Sequence, residues 1–187
     1  MSDEWDGVKF SHFGVFVHNI AAMERFYVDL LDFTVTDRGD LTRNGATRSV
    51  VFLSRDPDEH HQIVLASGRP ADLPFNPINQ ISMRVATLDG LRQVYRRFVA
   101  AGRIGLDPVS HGNAVSFYAP DPEGNRVEIY WNTPWYVSQP MVEPIDLLQP
   151  NDVLMAVLEG VAQTLPGFRP RSEWRAEMAA RMQRSAV

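Results

Sequence analysis

Along residues 10–31, FSHFGVFVHNIAAMERFYVDLL, apolar residues first alternate at Val15 and Val17, then recur at helical spacing at Met23, Phe26, Tyr27, Leu30 and Leu31. The two periods predict a strand followed by a helix. Asn19 lies at the junction, where it can cap the helix or serve a short loop. Three β-rich runs follow, FTVTDRG, TRSVVFLSR and HHQIVLAS, separated by the turn-like DLTRNGA and DPDE. The order is strand, helix, strand, strand, strand.

The same order then recurs. INQISMRVATLDGLRQVYRRFVAAG reads as a strand and a helix, with Leu91, Val94, Tyr95 and Phe98 as the apolar stripe. GLDPVS, AVSFYAPD and NRVEIYW read as the next strands, with DPEGN as the turn between the last two. With His12 set over Gln80, Val17 falls on Val85 and Tyr27 on Tyr95, while Val64 of QIVLA falls on Glu128 of RVEIY. Agreement in order and spacing points to an internal duplication. The expected fold class is therefore α+β, with two βαβββ units forming a curved mixed sheet around a cleft. The units span about 8–67 and 78–132, a domain of 8–132 in all. His12, Gln80, Glu128 and the HHQIV strand are expected around one cavity.

Residues 133–187 form a tail. NTPWYVSQPMVEP is proline-rich and extended, and Trp135 and Tyr136 are placed to close one edge of the cleft. NDVLMAVLEGVAQTL predicts a helix capped at Asn151 or Asp152, with Val153, Leu154, Val157, Leu158 and Val161 apolar. SEWRAEMAARMQR predicts a second helix whose stripe includes Trp174, Met178 and Met182. Such stripes are usually packing surfaces, covering a sheet or serving a dimer.

Composition narrows the function classes. A net charge of −5 and the lack of phosphate-cradling glycine motifs argue against nucleic-acid and nucleotide chemistry. With no cysteine, thiolate catalysis, thiolate ligands and disulfides are excluded. No apolar run approaches the roughly 18 residues of a membrane helix, and MSDEWDGVKF lacks a signal pattern. These features lead us to expect a cytoplasmic protein with no nucleic-acid or membrane partner.

From about Val8 to Trp131 the chain resembles the vicinal-oxygen-chelate superfamily, and within it the type I extradiol ring-cleaving dioxygenases. SHFGVFV, FYVDLLDF, HHQIVLA and INQISMRV carry the resemblance, and SHGNAVSFYAPDPEGNRVEIYW is its most specific part. It implies a divalent metal, Fe(II) first and Mn(II) or another divalent ion second, in a facial site of two histidines and a carboxylate with open positions. His12 matches the first histidine and Glu128 the glutamate. Gln80 stands where the second histidine is expected, and its amide oxygen is a harder, weaker donor. Val64 occupies the position where lactoylglutathione lyases use a further glutamate, which disfavours that activity.

The resemblance further implies His61 as an acid–base group, a role suited to a pKa near neutrality. His111 and Tyr118 match a second-sphere histidine and tyrosine that hydrogen-bond the substrate's ring oxygens. His60 is expected on the opposite strand face from His61, and His18 at a strand end. Read without the family, Glu128 could instead pair with Arg84 or Arg126, Tyr118 could be a core aromatic, and the histidine pair could be a solvated loop. The implied partners are a small aromatic substrate and dioxygen, and a homo-oligomer is expected. The alternatives are a non-redox enzyme using Mn²⁺ or Mg²⁺ and a binding protein for an aromatic metabolite or antibiotic.

Overall fold

A computed structural model of the chain describes residues 9–73, 76 and 78–184, of which residues 43, 183 and 184 are described by backbone alone. Contacts divide it into two compact units: Met1–Asn76 with Asp121–Gly124, and Pro77–Pro120 with Asn125–Val187.

The first unit runs β1 (Phe13–Val17), α1 (Ile20–Arg25), β2 (Thr34–Arg43), β3 (Ala46–Ser54) and β4 (Ile63–Ser67), in the sheet order β1-β4-β3-β2. Helix α1 begins where expected, because Asn19 Oδ1 accepts the Ala22 amide at 3.0 Å. Its wider last turn, Phe26–Leu30, buries Phe26 and Tyr27. Strands β2 and β3 are longer than the pattern suggested. DLTR is paired strand, and the turn shrinks to Asn44 and Gly45, with φ of 51° and 77°. Two positive φ values at Asn-Gly make the tight turn whose twist suits a hairpin. His60 and His61 precede β4 rather than lying in it, so strand alternation does not separate them.

The second unit repeats the plan with β5 (Ile81–Arg84), α2 (Leu88–Ala100), β6 (Asp107–Ser110), β7 (Ala114–Pro120) and β8 (Arg126–Asn132), in the order β5-β8-β7-β6. Both units pair their first and last strands in parallel, so the duplication extends to register. Gly14 opposes Val64 as Ser82 opposes Glu128, and Phe52 opposes Val64 as Tyr118 opposes Glu128. Neither sheet closes into a barrel. In β7 and β8, Val115, Phe117, Val127 and Ile129 are buried on one face, and the rings of Tyr95 and Phe98 meet Phe117 edge-on. Strand alternation puts Ser116, Tyr118 and Glu128 on the other face.

The tail belongs to the second unit. It comprises β9 (Trp135–Tyr136), β10 (Glu143–Pro144), α3 (Asn151–Thr164), β11 (Arg169–Pro170) and α4 (Arg171–Arg184), with β10 extending the main sheet beside β6. Pro150, not Asn151 or Asp152, is the cap of α3, and the Asn151 amide donates to Asp89 at 2.8 Å instead. Leu154, Leu158 and Ala162 are buried, whereas Val153, Val157 and Val161 are exposed. The stripe is narrower than expected because one turn in contact can bury only one row. Arg92 of α2 fixes the approach to α3, donating to the carbonyls of Leu147 and Gln149. Trp135 is buried with its indole N–H on the Gly112 carbonyl at 2.7 Å, and Tyr136 stacks on Trp174. Trp135 thus ties the tail to the loop before β7, while the Tyr136–Trp174 stack lies within the tail. Among the described residues no helix is long and apolar enough to cross a membrane.

Candidate functional site

In the second unit, the polar face of β5, β7 and β8 gathers around Glu128, which is 6% exposed. Its Oε2 accepts from Ser82 Oγ at 2.5 Å and Gln80 Nε2 at 3.0 Å, and its Oε1 from Ser116 Oγ at 2.8 Å. Gln80 Nε2 also reaches Ser82 Oγ at 2.9 Å. A carboxylate only accepts, so the amide must turn its NH₂ toward Glu128. Such a buried charge is costly unless its oxygens are occupied. Arg126 is not its partner: it approaches Asp107 at 3.9 Å and lies over the Tyr118 ring at 3.5 Å.

Beside Glu128, His111 Nε2 lies 3.0 Å from the Tyr118 hydroxyl and 3.8 Å from Glu128 Oε1. His111 Nδ1 lies 2.9 Å from the Met141 carbonyl, which can only accept. Nδ1 therefore carries a proton toward that carbonyl, and the Tyr118 hydroxyl lies within reach of both Nε2 and the Glu128 carboxylate. Gln139 secures the same loop, its amide N–H donating to the His111 carbonyl at 2.7 Å. Tyr118 is pushed up to about 12, by burial first and then by the Glu128 carboxylate, against the opposing pull of Arg126. A groove of about 480 Å³ opens onto Gln80, His111, Tyr118, Glu128 and Tyr130.

The first unit carries the remaining histidines. The rings of His12 and His61 meet edge-on with centroids 4.2 Å apart, and the Nδ1 atoms of His60 and His61 are 2.9 Å apart. Ser11 Oγ donates to Glu59 at 3.3 Å, so its contact with His12 Nδ1 at 3.2 Å is one in which the imidazole donates. That leaves the His12 Nε2 lone pair available. Loss of water, then His12 and His60, hold the His61 pKa below the ordinary histidine value. His18 stays in a structural role, its backbone N–H donating to Glu123 at 2.5 Å.

Among the described residues no three His, Asp or Glu side chains form a ready-made metal cage. The donor chemistry still suits a divalent ion that accepts oxygen and imidazole ligands. A carboxylate has about four lone-pair sites; Ser82, Gln80 and Ser116 occupy three, and the Tyr118 hydroxyl, which also reaches His111, is a partner that can turn away from the fourth. An amide held by its nitrogen keeps its oxygen for another partner. Sequence reasoning missed Ser82, Ser116, Gln139 and the Met141 carbonyl. The two serines left a signal, as polar residues on the strand face that Glu128 shares; a main-chain carbonyl leaves none.

A family model described as the Glyoxalase/Bleomycin resistance protein/Dioxygenase superfamily matches residues 9–129. A biphenyl-2,3-diol 1,2-dioxygenase 2 of Rhodococcus globerulus is 29% identical over 125 residues, covering 65% of this chain and 61% of that protein. The chain thus spans about three fifths of that relative's length. The glyoxylase/bleomycin resistance protein/dioxygenase domain from Frankia sp. EAN1pec superposes with a TM-score of 0.55 at 24% identity, covering 69% of this chain and 99% of that one. The fosfomycin resistance protein FosX of Listeria monocytogenes gives 0.51 at 15% identity, covering 69% and 95%.

Proposed function

Because the chain belongs to the Glyoxalase/Bleomycin resistance protein/Dioxygenase superfamily, we propose that it is a metal-dependent dioxygenase that opens a catechol-like aromatic ring. The observation that carries this reading is the buried Glu128 with the His111–Tyr118 pair beside it on one groove. Similarity to a biphenyl-2,3-diol dioxygenase supports it.

In the second unit, Glu128 and Gln80 are the side chains we assign to a divalent ion, Fe(II) first and Mn(II) second; the resemblance adds His12 to the ligand set. The chemistry that Fe(II) would supply is activation of dioxygen and of the two ring oxygens. Tyr118 keeps its proton at neutral pH, because its pKa is raised to about 12. Its hydroxyl lies between two partners, His111 Nε2 and the Glu128 carboxylate, and its oxygen lone pairs can accept from a phenolic hydroxyl. His111 is held for that task by Met141 and Gln139. His61, with its lowered pKa, is neutral at pH 7 and so able to take a proton.

A second reading, non-redox chemistry at the same carboxylate, is favoured by Gln80, whose amide makes the donor set richer in oxygen. The two are separated by oxygen uptake with a panel of catechols after anaerobic Fe(II) loading. Uptake that disappears in Glu128→Ala supports the dioxygenase. No uptake despite full iron occupancy moves the assignment to the non-redox enzyme or to a binding protein.

A further inference from the structure

Resting on the metal reading above, we infer that Ser82, Ser116 and Gln80 are positioning residues that make Glu128 a one-oxygen donor, offered through Oε1. A carboxylate oxygen has two lone pairs in its plane. Oε2 receives two donors, Ser82 at 2.5 Å and Gln80 at 3.0 Å, and is saturated. Oε1 receives Ser116 at 2.8 Å, and the Tyr118 hydroxyl that also hydrogen-bonds this carboxylate can turn its hydrogen to His111 Nε2 at 3.0 Å, which opens one lone pair to a metal. That oxygen is also the one 3.8 Å from His111 Nε2, so the free lone pair belongs to the His111 and Tyr118 end of the cluster.

The duplication provides an internal control. At the first unit's equivalent of Glu128 stands Val64, and there both serine hydroxyls vanish with the carboxylate, while His12 stands in the place of Gln80. Gly14 replaces Ser82 opposite Val64, and Val50 replaces Ser116 in the strand pairing. A hydroxyl wanted by the fold alone would be wanted in both halves. The serines appear only where the carboxylate does. Ser116, with no exposed surface, makes the same point, since a fully buried hydroxyl needs its acceptor. Gln80 gains a definite part as well: whatever its oxygen binds, its NH₂ closes Oε2 to any other partner.

The test uses the full chain with Mn(II) as the probe and ¹³C-carboxyl glutamate in infrared difference spectra, the Glu128 band being identified by its loss in Glu128→Gln. Wild type should show the wide splitting of carboxylate stretches that marks binding through one oxygen. Ser82→Ala and Gln80→Leu should narrow it, as Oε2 is freed to join, and weaken Mn(II) binding about tenfold or more. Ser82→Thr, which keeps the hydroxyl, should behave as wild type. A two-oxygen signature in wild type overturns the inference, as does a spectrum unchanged in both Ser82→Ala and Gln80→Leu. Mn(II) binding that depends on Glu128 but ignores Ser82 and Gln80 sinks the clamp alone. Wild type that binds no Mn(II), or binding that survives Glu128→Gln, sinks the metal reading and the clamp with it.

Discussion

The Nε2 of His111 lies 3.0 Å from the hydroxyl of Tyr118, and the Met141 carbonyl holds the far side of the imidazole. The tyrosine oxygen sits between that ring and the Glu128 carboxylate, with lone pairs that can accept from the groove. Tyr118→Phe should keep the fold, because the ring and its packing remain. Ring-cleavage kcat/KM should fall about 10- to 100-fold, the loss of one oriented hydrogen bond worth about 1.4–2.8 kcal/mol. Steady-state oxygen uptake measures it, and an unchanged kcat/KM would remove Tyr118 from the site.

Gln80→His would replace an amide with an imidazole at the position where the resemblance expects a histidine. Fe(II) affinity should rise, with oxygen uptake kept or increased, as read by anaerobic titration and by the catechol assay. If the cleft serves non-redox chemistry, iron will bind more tightly while no catechol is consumed.

Glu123 accepts the backbone amides of His18 and Asn19 at 2.5 and 2.8 Å and pairs with Arg69 at 3.2 Å, its side chain 5% exposed. Glu123→Ala should destabilise the protein by about 3 kcal/mol, the scale of a broken buried pair. Glu123→Gln, which keeps an acceptor, should cost less. Urea denaturation distinguishes the two; equal and small losses would show that the carboxylate is dispensable.

The Tyr27 hydroxyl is buried with no hydrogen-bond partner among the described residues, and burial, aided by Asp121, holds its pKa far above the ordinary value. A raised folded pKa favours the native state below the unfolded value of about 10 and loses that advantage at higher pH, as the unfolded chain ionises. Tyr27→Phe should therefore be neutral or slightly stabilising at pH 7. It should also flatten the decline in stability above about pH 10. Thermal denaturation from pH 7 to 11 checks both expectations.

The order of elements was legible because both repeats carry clean switches from period two to period 3.6, as at Val17–Met23 and again at Val85–Leu91. The extent of the β2–β3 hairpin was not, since DLTR is polar enough to read as a turn and only pairing with β3 shows it as strand. Val153, Val157 and Val161 misled for a related reason: helical spacing reveals an apolar row but not which row faces a neighbour. At the site, Glu128 could be found as a charge between buried residues, and His111 and Tyr118 by resemblance. The groups that orient them could not. The Met141 carbonyl and the Gln139 amide reach His111 from thirty and twenty-eight residues away, through a proline-rich stretch with no periodicity.

The turn Asp121–Gly124 is made by the second repeat's strands yet counts among the contacts of the first unit. On the ribosome, a chain translated only as far as residue 76 has the four strands and the helix of its first half but not the carboxylate that receives the amides at the start of α1. Until Glu123 has been synthesised, those two exposed amides have water as their acceptor. The start of α1 is thus finished by a side chain that the ribosome delivers more than a hundred residues later.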